Sequence, residues 1–104
     1  MPVVRIHLAA ADEAEAAVDW YESERPGLGR RFQRALDAGL DLLEAGTAPA
    51  VAMPGPLGEA GVKRFVLRRF PYDIVFLPQE NEVTVLAFAH HSRRPAYWRY
   101  RLRR

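Results

Sequence analysis

The chain closes as His90-His91-Ser92-Arg93-Arg94-Pro95-Ala96-Tyr97-Trp98-Arg99-Tyr100-Arg101-Leu102-Arg103-Arg104, a stretch with six arginines and no carboxylate. Arginine forks match the oxygens of phosphate or carboxylate and stack on flat rings, so this composition suits an anionic partner. The interleaved Tyr97, Trp98 and Tyr100 add the stacking surface that single-stranded nucleic acid binders use. The same composition also fits a basic end that only aids solubility. His90 and His91 supply imidazoles able to exchange protons near neutral pH. As neighbours on an extended chain they point to opposite sides and do not readily share a metal ion. The chain has no cysteine, which excludes disulfides, thiolate catalysis and Cys-type zinc sites, and His7 is distant in sequence. No metal and no other cofactor is expected.

The formal net charge of the 104 residues is only +2. Residues 1–61 nevertheless carry five basic and ten acidic side chains, net −5, while residues 62–104 carry ten basic and three acidic, net +7. This division predicts two electrostatic faces, with the C-terminal half attracting an anion. The acids of the first half read as a solvated helix face, or as a balance for the basic half. The length suits a single domain, residues 1–104, and 49% hydrophobic residues suit a folded core. No apolar run is long enough to span a membrane, and the first residues lack the basic-then-apolar pattern of a signal peptide. A cytoplasmic protein without a membrane partner is expected.

The elements that must hold these side chains follow from periodicity. Val4, Ile6 and Leu8 alternate with Arg5 and His7, which predicts a half-buried strand. Asp12, with Glu15 three residues on, reads as a helix start. Ala14, Ala17, Val18 and Tyr21 then form one apolar stripe, leaving Glu13, Asp19 and Glu22 outward. Arg25-Pro26-Gly27 breaks this helix, and a second runs from about Leu28 to Ala45, with Phe32, Ala35, Leu36, Leu40 and Leu43 inward and Gly46 as its stop. So short a break predicts an antiparallel helical hairpin. Residues 46–61, with four Gly and three Pro, read as a long loop. Three strands follow, Val62–Arg68, Tyr72–Leu77 and Glu82–Ala89, joined closely enough to require antiparallel pairing. The order β-α-α-β-β-β predicts an α+β fold: a twisted antiparallel sheet with the hairpin on one face. Alternation along the second strand sets Arg64, Val66 and Arg68 opposite Phe65 and Leu67, so Arg64 and Arg68 are expected on the open face, joined by Arg93. Trp20 and Tyr21 read as core or helix-interface residues, Tyr72 as packed behind the sheet turn, Phe70-Pro71 as structural, and Trp98 as an anchor for the C-terminal segment. One of His90 and His91 is expected to pack or hydrogen-bond at the end of the sheet and the other to be exposed.

Three strings, in order and covering nearly the whole chain, resemble the RelE/ParE toxin superfamily. Trp20-Tyr21 with Pro26-Gly27-Leu28-Gly29-Arg30-Arg31-Phe32 resembles its helix junction. Arg69-Phe70-Pro71-Tyr72 resembles its central hairpin, and His90-x-x-Arg93-Arg94-Pro95-x-Tyr97-Trp98 its closing signature. The resemblance implies the toxin half of a type II toxin–antitoxin module, such as those of plasmid stabilisation systems, held in a hetero-oligomer with a cognate antitoxin. RelE-like members of the superfamily cut mRNA on the ribosome, and ParE-like members poison DNA gyrase.

For an mRNA interferase, cleavage by 2′-hydroxyl attack needs a base, cationic groups on the phosphate and an acid for the leaving oxygen. Arg64, Arg68 and Arg93 are the candidates for the phosphate, and His90, His91 or Tyr97 for the proton transfers. Two departures weigh against it. Asp73 stands where mRNA-cutting relatives commonly have an arginine, and Val66 replaces a basic position on the preceding strand. A carboxylate there repels the scissile phosphate unless it is paired. The resemblance therefore favours the ParE-like branch: a gyrase inhibitor that blocks growth by binding rather than by catalysis. Arg64, Arg68, Arg93, Arg94, Tyr97, Trp98 and Arg99 form its expected target- or antitoxin-binding surface. The ribosome-dependent endonuclease is the alternative. A third reading is a non-toxic binding protein that keeps the fold.

Overall fold

The first helix begins four residues before Asp12. In the computed structural model, which describes residues 2–102, strand β1 (Val3–Ile6) leads directly into helix α1 (Leu8–Glu24). The His7 Nδ1 accepts the Ala9 amide at 3.1 Å and caps the helix. A run of alanines after Leu8 then carries the turn forward, because alanine costs the least to hold in a helix. Asp12 is thus an interior residue rather than a cap. The stripe of Ala14, Ala17, Val18 and Tyr21 does face inward, and Ala10, fully buried, extends it by one turn.

Helix α2 (Leu28–Ala45) buries Phe32, Leu36 and Leu43 as the periodicity requires and ends at Gly46. Its start is held by Glu22 of α1, whose Oε2 and Oε1 accept the Gly27 and Gly29 amides at 2.9 and 3.0 Å. Glu22 therefore does not simply face solvent; it satisfies amides that a helix N-terminus leaves without partners. Two glycines set how closely the hairpin packs. A Cβ at Gly29 would lie 2.6 Å from the Val18 carbonyl oxygen of α1, and one at Gly39 would lie 2.8 Å from Ile74 Cδ1 of the sheet.

Residues 46–61 are not a featureless loop. They hold a two-residue edge strand β2 (Val51–Ala52) and a one-turn helix α3 (Gly55–Glu59). Strands β3 (Lys63–Val66), β4 (Tyr72–Pro78) and β5 (Glu82–His90) pair antiparallel in register, Phe65 with Ile74 and Ile74 with Phe88. The order across the sheet is β1-β5-β4-β3-β2. The fold is α+β with the helical hairpin on one face, but the sheet is mixed. β1 runs parallel to β5, with Val3 opposite Glu82 and Ile6 opposite Val85. The two-helix connection lets the chain return in either direction, a freedom the short hairpins do not have.

The hairpin side buries Tyr21, Phe32, Leu36, Phe65, Ile74 and Phe88 in the larger core. The opposite side holds a second, smaller cluster of Val62, Val75, Leu86, Ala87 and Trp98. Because the atom nearest the Gly29 site is a backbone oxygen, Gly29→Ala should lower stability by about 1–3 kcal/mol. Urea unfolding of the two proteins side by side checks this.

Candidate functional site

Alternation along β3 and β4 puts Arg64, Val66, Asp73 and Val75 on the face away from the hairpin. The segment after β5 closes over them. Arg64, Asp73, His91, Arg93, Arg94 and Tyr97 thus line a cleft of about 350 Å³. Within it Asp73 is paired: its Oδ1 lies 2.8 Å from His91 Nε2, and its Oδ2 lies 3.9 Å from Arg64 Nη1. The Asp73 side chain is only 14% exposed, against 44–45% for its two partners. His90 also borders the cleft, but its side chain is engaged elsewhere. Its ring meets Tyr72 edge-on at 5.0 Å, and its Nδ1 accepts the Ser92 amide at 3.0 Å. The two histidines therefore diverge, one packed at the end of the sheet and one exposed, and among the described residues no three His, Asp or Glu side chains converge as metal ligands.

Beyond the cleft the chain winds into a 3-10 turn (Arg99–Leu102) and is anchored at three places. Trp98, 2% exposed, fills the smaller core cluster. The Tyr97 hydroxyl donates to Glu13 Oε2 at 2.5 Å. Arg101 places Nη1 and Nη2 on the two Glu13 oxygens at 3.0 and 2.9 Å, and Nη1 also donates to the Leu86 carbonyl at 2.9 Å. Glu13 is thus not an outward residue of α1. Its recognisable signal was spacing: once the helix starts at Leu8, Ala10, Glu13 and Ala17 fall at i, i+3 and i+7. Starting the helix at Asp12 hides this. Burial of the Tyr97 phenol, its hydrogen bond to Glu13 and the Glu13 charge push its pKa well up, against the opposing pull of Arg93 and Arg101. For Arg101 burial disfavours the charge, but the bonds to Glu13 and Tyr100 and the Glu13 charge outweigh it and raise the pKa.

Arg93 stays exposed at the cleft, with its guanidinium carbon 3.8 Å from the centre of the Tyr97 ring, a stacking contact that leaves the fork free. Arg94 and Arg99 are exposed; Arg103 and Arg104 lie outside the described residues. Trp20, expected in the core or at the helix interface, is 58% exposed and meets Tyr21 edge-on.

Arg68 does not join Arg64. The β3–β4 pairing ends at Val66 opposite Asp73, and the alternation that would carry Arg68 to the open face ends with it. Arg68 instead borders a larger groove, about 800 Å³, between α2 and the β3–β4 turn. Leu28, Leu42, Phe65, Leu67 and Phe70 give this groove apolar walls; Arg31, Arg34, Arg68 and Arg69 supply its charge, and no carboxylate lines it. Arg31, Arg34 and Arg69 were not singled out as functional from sequence. Arg31 and Arg34 share one flank of α2, a signal that matters only once the neighbouring turn is known.

The helical hairpin, the sheet order and the two basic concavities frame the comparison with known proteins. A family model described as the ParE toxin of the type II toxin–antitoxin system parDE matches residues 4–95. The chain belongs to the ParE toxin family. Membership implies an antitoxin as partner. No curated protein matches the sequence. Among solved structures, a chain of the chromosomal ParDE toxin–antitoxin system from P. aeruginosa is similar with a TM-score of 0.70 and 20% identity, covering 86% of this chain and 96% of that one. At that identity the shared property is the ParE fold. Trp98, Arg99 and Arg101, which close this chain's structure, lie beyond the residues that the family model matches.

The raised Tyr97 and Tyr72 phenols have a consequence for stability at alkaline pH. Above about pH 10 the unfolded tyrosines lose protons while the folded ones keep them, so the unfolded state binds fewer protons and stability falls as pH rises. Urea midpoints measured from pH 8 to 11 should decline, and Tyr97→Phe should flatten the decline.

Proposed function

We propose that this ParE family chain is a growth-inhibiting toxin that acts in the cytoplasm by binding, with DNA gyrase as its target. The effector surface is the open-face cleft together with the C-terminal segment: Arg64, Arg93, Arg94 and Arg99 meet the target, and Tyr97 and Trp98 hold the segment that carries them. One observation supports binding over catalysis: the proton-exchanging side chains around the cleft are already committed. His91 is on Asp73, His90 is against Tyr72 and the Ser92 amide, and the Tyr97 hydroxyl is on Glu13. A general acid or base needs its proton site within reach of the substrate. Family resemblance supplies gyrase as the target.

One feature favours a second reading. A carboxylate on one imidazole nitrogen orients the ring and fixes its tautomer, leaving the other nitrogen to take up a proton. The His91–Asp73 pair beside Arg64 and Arg93 has that form. In a ribosome-dependent endonuclease His91 would be the base, with Arg64 and Arg93 on the phosphate.

The antitoxin belongs, in this reading, on the α2 groove rather than in the cleft. Apolar walls with four arginines and no carboxylate suit an amphipathic segment rich in Asp and Glu.

Induced expression without antitoxin tests the target. Growth arrest with a DNA damage response and intact transcripts is expected, and Arg64→Glu with Arg93→Glu should abolish it; toxicity that survives both reversals removes the cleft from the effector surface. Transcripts cut at ribosomes would instead favour the second reading, and harmless expression would mean a binding protein that keeps only the fold. For the groove, Arg34→Glu with Arg69→Glu should weaken binding of the co-expressed antitoxin by about 10- to 100-fold while toxicity persists. Titration calorimetry and plating efficiency report the two quantities separately.

A further inference from the structure

The edge of β5 is left uncovered where the sheet most needs a partner. β1 pairs with β5 only as far as Ile6 opposite Val85, and the His7 amide on the Val85 carbonyl ends the ladder. On the other side of β5, Val75 pairs with Ala87 and Phe76 with Val85, so Leu86 is an extra, bulged residue without a partner. Leu86 and Phe88 are both 2% exposed, and buried backbone groups without hydrogen bonds are costly. Two side chains replace the missing strand. Arg101 donates to the Leu86 carbonyl at 2.9 Å, and Glu13 Oε1 accepts the Phe88 amide at 3.1 Å. The same carboxylate takes the Tyr97 hydroxyl and both Arg101 nitrogens. Of the ion pairs among the described residues it is the one with both side chains mostly buried, at 6% and 16% exposure.

This arrangement reaches the cleft. Glu13 fixes the hydroxyl end of Tyr97, and the face of the Tyr97 ring carries the Arg93 guanidinium at 3.8 Å. A residue of α1 is thus linked through a single side chain to a cationic group of the cleft. Ala96, between Arg93 and Tyr97 in the chain, holds a left-handed φ of 56°, a strained setting for a residue with a side chain, so it persists only where its surroundings hold it.

We propose that Glu13 is a positioning residue of the toxin: through Tyr97 and Arg101 it holds the C-terminal segment in the one path that presents Arg93 and its neighbours to the target. The proposal rests on the effector surface assigned above. Glu13 touches no target itself.

The experiment separates positioning from simple stability. Removing either charge alone strands the other in the interior, so a single variant risks unfolding. Glu13→Gln with Arg101→Met avoids this: the amide oxygen keeps an acceptor for the Phe88 amide, and neither charge of the pair remains buried. Tyr97→Phe is the second variant; it keeps the ion pair and the ring but cuts the hydroxyl link. Hydrogen exchange of the full-length chain is followed at residues 93–101 and, as reference, at the β4 amides, alongside plating efficiency on induction. Both variants should keep β4 protection within about twofold of the parent, while exchange in residues 93–101 rises at least about tenfold and toxicity drops by a similar factor. Unchanged exchange in that segment would overturn the proposal. So would faster exchange with full toxicity, because position would then not matter to the effect. A parent chain that does not arrest growth would overturn the toxin reading instead, and the exchange rates would still decide whether Glu13 holds the segment.

Discussion

Everything on the open face depends on how closely the helical hairpin lies against the other. Gly29 lets α2 approach the α1 backbone, and Gly39 lets it settle onto Ile74 and Phe65. The gap closed in this way is filled by rings: Phe32 packs 5.0 Å from Tyr21, 5.1 Å from Phe70 and 4.9 Å from Tyr72. Such tilted and edge-to-face contacts add to the burial of each ring. Phe70 belongs to the β3–β4 turn, so its insertion pulls that turn toward the hairpin. Arg68 and Arg69 follow it and line the α2 groove. Packing on one face has removed an arginine from the other.

The charge division along the chain consequently does not map onto two faces. Arg31 and Arg34, from the net-negative half, join Arg68 and Arg69 in one basic groove. Glu13, also from that half, lies beneath the most basic segment and neutralises Arg101. The fold interleaves the halves, and the result is two separate basic concavities. In the α2 groove the arginines are gathered without a carboxylate and repel one another when no anion is present, which favours an acidic partner, whereas in the cleft Asp73 offsets part of the charge. That preference is strongest at low ionic strength, since the side chains concerned are exposed.

Local rules carried most of the framework. Helix α2, its stop at Gly46, the inward set of Phe32, Leu36 and Leu43, and the three closely joined strands all follow from period and turn length. The quoted motifs are largely the rings of the aromatic cluster, Tyr21, Phe32, Phe70 and Tyr72, so what resembles a family is chiefly a packing solution. What escaped was non-local. The direction of β1 depends on a return across two helices. Glu13 and Arg101 are 88 residues apart in the chain, and no window includes both. Arg68 lies past the end of β3, where strand alternation no longer decides its side. His7 displaced Asp12 as the helix cap because its ring nitrogen reaches the Ala9 amide, an option that propensity ranks low.

Asp73 shows how pairing changes what a charge means. Unpaired, it would repel a phosphate in the cleft; with an imidazole at 2.8 Å and the Arg64 guanidinium at 3.9 Å, part of that repulsion is offset. The pairing has a cost for catalysis, because Arg64 is then shared with an internal anion and a scissile phosphate must compete for it. Stabilising a phosphorane asks for several cationic groups fixed on one point before the charge develops. Here Arg93 rests on Tyr97, Arg94 is exposed to one side, and Arg64 is half-engaged. Cations spread in this way fit an acidic protein surface, whose carboxylates are spread too, better than they fit a single reacting phosphate.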